Sequence, residues 1–436
     1  MHLNIRFRGW TVCIVLALWA LLSIYEAALA EERGNATVRC TKVHGALLMR
    51  AQSGGWQSVA SEADVPENRL MVALFGAEFR SGNDAIEMRL LADVGQRGPF
   101  PVLEAAVRFH APKTNDLDAT LERGVAVLSN KKKAGAAHVR LQVRDEVFEV
   151  TLTEPKARLA VEIYGRHVPG PARVSDAKLD DPVANVVFFV LEGEIVIGTH
   201  KQATRLHAPP GNALFMWDSV TRDPEVRRFE KLPDFAKPMD DKERQQFDTI
   251  CGFAKTWAAK PGEIAKSLEK AVRSAEAGQR KAAVAALGAL DELPQLLQVL
   301  NAKDHADARD MAVLVLRHWL GRSPGQSVRL YQFLTKTDGY NPTQAKNLLY
   351  LINGIEDEKL KQAETFDVLI HALNHSKMPV RELARWHLVR LVPDGKSIAY
   401  DAAAPEDQRL QAIAQWRRLV PEGKLPPPPK KKTSTL

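Results

Sequence analysis

The sequence predicts a multi-domain α+β protein, with an N-terminal all-β domain followed by a C-terminal all-α domain. Apolar residues recur at every second position before residue 240 and at every third or fourth position after it, and proline-containing breaks separate the two regions. The 436 residues, 45% hydrophobic and 26% charged, suffice for two or three domains with cores of their own. Basic and acidic residues are interspersed, so the net charge of +7 permits an anionic partner without requiring one.

Residues 1–30 have the features of a secretory signal peptide. Arg6 and Arg8 precede an apolar run over 11–25 that is short for a bilayer span, and Ala28-Leu29-Ala30 offers a cleavage site. We therefore expect an exported protein of the periplasm or cell envelope whose mature chain starts at Glu31. The alternative is a protein anchored in the membrane by an uncleaved segment.

Residues 38–231 are predicted to form the β domain. Apolar side chains alternate along several segments, for example 103–109, 139–143 and 159–163, which places them on one face of a sheet. A glycine between two apolar runs recurs at Gly45, Gly124 and Gly193. Glycine tolerates backbone conformations and close approaches that other residues do not, so these positions indicate places where strands turn closely.

Several short motifs of this half are shared with a known family. They are Val43–Met49, Gly54-Gly55-Trp56, Asp64–Leu70, Ala77-Glu78-Phe79 and Leu191–Glu194. Together they resemble the FecR family of extracytoplasmic β domains, most closely over 38–90 and more loosely to 218. The segments 117–124 and 144–147 are similar to the elongated FecR-like proteins of planctomycetes. The resemblance implies an exported β module that binds protein or polymer.

The regulatory role of the FecR family is not carried over with this resemblance. In regulatory members, a cytoplasmic helical segment that contacts a sigma factor precedes a membrane helix. At most ten residues precede the apolar run here, so we expect no anti-sigma segment and leave a link to sigma-factor signalling open.

Residues 232–241 are predicted to be a linker, through which any coupling between the two halves would pass. Residues 242–421 follow as a helical domain, with Asp240 or Asp241 as the first cap. Helical units opening at Arg280, Arg309, Gln344 and Val380 lie about 30–37 residues apart, a spacing typical of two-helix repeats. They resemble HEAT-like solenoid units; an irregular helical bundle is the alternative.

The helical domain is expected either to bind an extended partner on a concave surface or to brace the β domain. Four glycines are predicted to end helices: Gly278, Gly321, Gly339 and Gly354. Residues 422–436 are predicted to be a disordered proline- and lysine-rich tail.

No motif supports catalysis, so we predict a non-enzymatic protein without catalytic residues, cofactor or metal. Neither a glycine-rich phosphate loop nor a Gly-x-Ser-x-Gly elbow occurs. His371 and His375 lie one helical turn apart and could bind zinc, but no acidic partner intervenes as in the His-Glu-x-x-His arrangement, so they are expected to be solvated or capping residues. The pairs Asp180-Asp181 and Asp240-Asp241 are expected to serve turns or caps, and Lys131-Lys132-Lys133 a hairpin tip.

The sequence thus favours an exported, non-enzymatic binding, sensory or scaffold protein. Its expected partner is a protein or an envelope polymer rather than a specific nucleic acid. A structural cell-wall or polysaccharide-binding protein and an unrecognised hydrolase are the alternatives. Outside the signal segment the chain has two cysteines, Cys40 and Cys251, which either pair or remain buried thiols; the low cysteine content favours thiols.

Overall fold

A computed structural model describes residues 38–92, 104–176, 178 and 180–428. The predicted signal segment 1–30 and residues 429–436 of the predicted tail lie outside these ranges. Within them, strands run to Phe229 and helices follow from Asp241, which confirms the α+β layout. The strands are β1 (Val38–Val43), β2 (Ala46–Arg50), β3 (Trp56–Ser58), β4 (Ala63–Val65), β5 (Met71–Leu74), β6 (Ala77–Ser81), β7 (Ile86–Leu91), β8 (Ala105–His110), β9 (Leu117–Asn130), β10 (Ala137–Val143), β11 (Glu146–Leu152), β12 (Arg158–Arg166), β13 (Val183–Glu192), β14 (Glu194–Gly198), β15 (Ala203–His207), β16 (Gly211–Asp218) and β17 (Glu225–Phe229).

The strands form two sheets that enclose one apolar layer. In the first sheet the order is β4-β1-β6-β7-β9-β12-β13-β16-β17, with every neighbouring pair antiparallel. In the second it is β3-β2-β5-β8-β9-β10-β11-β14-β15, where only β9 and β10 are parallel. Side chains from both sheets, such as Phe79, Phe109, Phe148 and Phe215, fill the space between them.

The recurring glycines lie where the chain passes from one sheet to the other. Gly45 separates β1 of the first sheet from β2 of the second, and Gly193 separates β13 from β14 in the same sense. Gly124 divides β9: residues before it pair in the second sheet and residues after it in the first. Its φ is +92°, and a Cβ there would lie 2.6 Å from the Cα of Ala105, so only glycine fits.

The helices are α1 (Asp241–Ala258), α2 (Ile264–Ala271), α3 (Ala277–Ala289), α4 (Leu293–Leu300), α5 (Ala306–Gly321), α6 (Gln326–Lys336), α7 (Pro342–Asn353), α8 (Asp357–Leu360), α9 (Ala363–Ala372), α10 (Met378–Leu391) and α11 (Glu406–Leu419). Helices α3, α5, α7 and α10 pack side by side as an inner row. An outer row packs on it, α2 on α3, α4 on α5, α6 on α7 and α9 on α10. This pairing supports the helical units predicted from the sequence; their assignment to HEAT-like repeats stays a prediction.

An arginine occupies the fourth position of several helices, and in α3, α5, α10 and α11 it makes the same kind of contact. Each guanidinium donates to backbone carbonyls of the turn that precedes its own helix: Arg280 to Ser274 and Ala275, Arg309 to Ala302 and Lys303, Arg381 to His375 and Ser376, and Arg409 to Ala404. These bonds satisfy carbonyls that no helix can pair. Helix α7 has Ala345 at this position, so the repeated feature is interrupted there.

The predicted linker 232–241 is docked rather than free. Leu232, Phe235 and Ala236 pack on the outer face of the first sheet, against a cluster that includes Phe189 and Leu214. The predicted cap at Asp240 is confirmed, since its side chain accepts from the Glu243 amide in a capping box. The expected helix end at Gly278 is wrong, because this residue lies in the first turn of α3.

The two halves share a core, which corrects the expectation that coupling passes only through the linker. Leu48, Val72, Leu74 and Ala106, on the outer face of the second sheet, belong to the same buried cluster as the helical residues. Strand β5 is buried on both faces, so its sequence Met-Val-Ala-Leu is continuously apolar. The helical part therefore packs on the outer face of the second sheet.

Candidate binding site on the outer helical face

The inner row of helices faces the sandwich. Helix α1 packs on β2, α3 on β5 and α5 on β12, and the backbone amide of Gly170 donates to the carbonyl of Gly354 at the end of α7. At Gly165 and Gly321 the backbones of β12 and α5 touch without intervening side chains. The β part of the chain thus covers the helical surface formed by α1, α3 and α5 and reaches the end of α7.

A buried charged cluster joins the two parts. Glu104, which precedes β8, accepts from Nε of Arg123 (2.6 Å) and lies 3.4 Å from Nε2 of His318 and 3.8 Å from Nη1 of Arg322. Burial opposes ionisation of Glu104, but His318, Arg123 and Arg322 together outweigh it and hold the pKa of this carboxyl well below its usual range. Nη2 of Arg123 also donates to the carbonyl of Ala289 at the end of α3 (3.0 Å). The cluster is interior, and its role is to fix the junction.

Asp180 provides a second polar contact across the junction. Its carboxylate, 2% exposed, accepts from the backbone amide of Ser327 (2.7 Å), and its carbonyl accepts from the amide of Gly325. The carboxylate therefore caps α6 from the β part of the chain. The sequence predicted a turn or cap residue; it did not reveal that the capped helix starts almost 150 residues later.

Two open cavities flank α2 at the start of the outer row. One, of 750 Å³, lies between α1, α2 and the start of α3; the other, of 390 Å³, lies between α2, α4 and the start of α5. Glu269 and Arg273 line both, so the cavities meet at the C-terminal end of α2. We call this surface the α2 groove; it is defined by the lining residues Thr256, Trp257, Lys266, Ser267, Glu269, Lys270, Ala271, Val272, Arg273, Ser274, Gln279, Leu287, Gln295, Gln298, Val299, Ala302, Lys303, Asp304, His305 and Ala308.

Helix α2 is strongly amphipathic, and its exposed side gives the groove its charge. Ile264, Leu268 and Ala271 are buried against the helical core. Lys266 and Lys270 are exposed one helical turn apart, and Arg273 is exposed in the turn that follows the helix, so the three form one stripe of cations along the groove. Within the described chain, no carboxylate forms an ion pair with any of the three. The stripe is therefore available to an anionic ligand.

The smaller cavity combines an apolar floor with a polar rim. Val272, Leu287, Val299, Ala302 and Ala308 contribute the apolar side chains. At the rim, Nε2 of Gln295 donates to Oε1 of Glu269 (3.2 Å), while the buried Oε1 of Gln295 has no hydrogen-bond partner. His305, with φ of 60°, turns the chain sharply into α5 beside Asp304.

The groove does not have the arrangement of an active site. Asp304 and His305 are its closest acid and imidazole in sequence, and no hydrogen bond joins their side chains to each other or to a lining hydroxyl among the described residues. Ser274, a lining hydroxyl, accepts from the amide of Glu276 as a local cap.

The residues singled out from the sequence lie elsewhere. Nδ1 of His375 accepts from the amide of Lys377, a local cap, and His371 is exposed. Asp181 pairs with Arg144 (2.8 Å). Across the described ranges no three His, Cys, Asp or Glu side chains are grouped to hold a metal ion.

The run Lys131-Lys132-Lys133 does not lie at the tip of a hairpin, which corrects the prediction. It connects the end of β9 in the first sheet with β10 in the second, because β9 changes sheets at Gly124. Lys131 pairs with Glu87 (3.3 Å) and Lys132 with Asp116 (2.8 Å). These lysines are held by local carboxylates.

The two cysteines of the described chain are free, buried thiols in separate core clusters. Burial raises the pKa of Cys40 to about 11 and that of Cys251 to about 12. Both thiols are therefore protonated at neutral pH, and the bridge between the halves that the sequence left open does not form here.

Comparisons with known proteins add little to this description. No family model matches the chain, and no curated protein matches it. A solved structure described as a putative anti-sigma factor from Parabacteroides distasonis matches with 12% identity and a TM-score of 0.23. The match covers 36% of this chain and 57% of that protein, so the chain spans little more than half of its length. Of the helices described, none is long and apolar enough to cross a membrane.

Proposed function

We propose that the protein is an exported, non-enzymatic binding or scaffold protein of the cell envelope, built from a FecR-like β-sandwich and a HEAT-like helical array. The α2 groove is its partner-binding surface. The observation that supports this most directly is an open groove on the outer helical row whose cations form no ion pair within the described chain, combined with contacts of α3, α5 and α7 with the β part. The helical part then both braces the sandwich and presents the groove.

Export rests on the sequence of residues 1–30. Expressed in its native host, the protein is expected to have its N-terminus at Glu31 and to fractionate outside the cytoplasm. Mass spectrometry of the purified protein determines its N-terminal residue. Retention of residues 1–30 would reject cleavage and favour a membrane anchor.

Binding at the groove is tested by site-specific photocrosslinking of the full-length protein in the envelope. A photoreactive amino acid at position 270 is expected to give a defined crosslinked species, and the same group at Lys346, an exposed position on α7, is the matched control. Crosslinks at both positions alike, or at neither, would contradict a partner-binding groove.

A further inference from the structure

We infer that the occupant of the α2 groove is an acidic peptide segment carrying an apolar anchor side chain. This inference rests on the proposed binding function and names the chemical class of its ligand. The smaller cavity would take the anchor, and the stripe of Lys266, Lys270 and Arg273 would take the carboxylates that flank it.

Charge selects an anionic ligand. The groove is lined by Lys266, Lys270, Arg273 and Lys303, and no described carboxylate forms an ion pair with them. The groove has two lining carboxylates, so its cations exceed them by four to two: Glu269 accepts from Gln295 (3.2 Å), and Asp304 lies at the start of α5. The cations are exposed in the free protein, and a ligand with carboxylates at similar spacing would be attracted to them.

The apolar floor of the smaller cavity favours a peptide ligand over a simple polyanion. The 390 Å³ cavity has its floor formed by aliphatic side chains, among them Val272, Val299 and Ala302. Polyphosphate and similar chains have nothing apolar to place there, whereas one leucine-sized side chain gains by leaving water. The ligand must therefore carry anionic and apolar groups close together.

Hydrogen bonding points the same way. The Gln295 amide oxygen lies at this cavity, is buried and lacks a partner. A buried acceptor without a donor costs free energy, so a small rotation towards an incoming backbone N–H would be favourable. A peptide supplies such N–H groups on either side of its anchor side chain.

The test is a fluorescence anisotropy titration of the full mature chain with defined peptides. The probe is a labelled peptide of about twelve residues with four glutamates around two leucines, a length that suits groove-binding segments. Peptides with every Glu replaced by Gln, or both Leu by Ser, and inorganic polyphosphate are compared with it. We expect saturable binding of the probe, about tenfold weaker binding of each altered peptide, and a marked loss of affinity at high salt.

Two variants locate the site. Lys270→Glu with Arg273→Glu reverses the charge of the stripe, and Ala302→Trp fills the smaller cavity; each is expected to weaken probe binding at least tenfold. Lys346→Glu with Arg418→Glu makes the same change in net charge at exposed helical positions outside the groove. This control variant is expected to bind the probe as tightly as the unaltered protein. The peptide comparisons use the unaltered chain, so they hold even where a variant fails to fold.

Equal affinity for polyphosphate and the probe, indifference to the leucines, or equal loss in the control variant would overturn the inference. Its failure is distinguishable from failure of the proposed function. A crosslinked partner at position 270 with no binding of acidic peptides would refute the ligand class alone, whereas no crosslink at that position would refute the groove as a binding surface.

Discussion

The contact between Gly165 and Gly321 offers the sharpest test of how the two halves are joined. A Cβ added to Gly321 would lie 2.6 Å from the carbonyl carbon of Gly165 and 3.0 Å from the amide nitrogen of Arg166, and closer still to the Gly165 carbonyl oxygen. All three atoms are backbone, so no side chain can move aside. Ordinary contact needs about 3.4 Å, and Gly321→Ala must therefore push α5 and β12 apart by about 1 Å.

We expect Gly321→Ala to lower the free energy of unfolding by about 2–3 kcal/mol, the range of overpacked interiors. Gly252→Ala is the matched control, because Gly252 lies inside α1 with nothing within 4 Å of its added Cβ. That substitution should stabilise by about 0.5–1 kcal/mol through helix propensity alone. The two variants should thus differ by about two to three orders of magnitude in their folding equilibrium.

The assay is urea unfolding followed by tryptophan fluorescence and by far-ultraviolet circular dichroism. Trp217 lies in the sandwich core and Trp319 in the helical core, so fluorescence reports on both parts. Coincident transitions are expected because the parts share a buried cluster. If Gly321→Ala were as stable as Gly252→Ala, the close approach of the two backbones, and with it the rigid junction, would be refuted.

Three further substitutions probe single groups by the same unfolding assay. Glu104→Gln leaves buried arginines without their carboxylate and should cost about 3–5 kcal/mol at pH 7. Because the pKa of Glu104 is lowered in the folded protein, the free energy of unfolding of the wild type should fall as the pH drops below the pKa of a carboxyl group in the unfolded chain. An equally steep loss of stability at acid pH in Glu104→Gln would contradict this. Burial lowers the pKa of His387 to about 4, and Arg317 and Arg390 add to the effect. As the pH falls, the unfolded chain therefore binds a proton at this residue before the folded protein does. The free energy of unfolding should fall by about 3 kcal/mol between pH 6.5 and 4. His387→Gln should remove that part of the slope. Asp180→Ala should lower the free energy of unfolding by about 1–2 kcal/mol, because a helix cap is lost. Asp181→Ala is the control, since the Asp181 carboxylate is exposed. Equal losses in the two variants would argue against the cap.

Local sequence patterns predicted much of the fold. The alternation of apolar residues identified the strands, and the Asp240–Glu243 pair identified the start of the first helix. The recurring glycines were predicted as close turns of strands, and the structure places a change of sheet at each; at Gly124 the close approach excludes a side chain. The wrong helix end at Gly278 has a local cause as well, since glycine is tolerated in a first helical turn.

The candidate site was less accessible from the sequence. The residues of the α2 groove are spread over positions 256–308 and include ordinary lysines, valines and alanines. The stripe Lys266, Lys270 and Arg273 was a possible signal, with helical spacing opposite Ile264 and Leu268, but such stripes are usual on solvated helices. What distinguishes this one is the pair of cavities beside it, which depends on how α1, α3, α4 and α5 pack.

The sequence by itself predicted strands before residue 240 and helices after it, the cap of the first helix and close turns at the recurring glycines, because each depends on the periodicity or conformation of neighbouring residues. Only the tertiary structure decided that β9 belongs to both sheets, that the helices cover one face of the sandwich and that Asp180 caps a distant helix. Those outcomes depend on which apolar faces meet and which buried charges find partners. Such choices are made between segments far apart in the chain, where no local pattern specifies the partner.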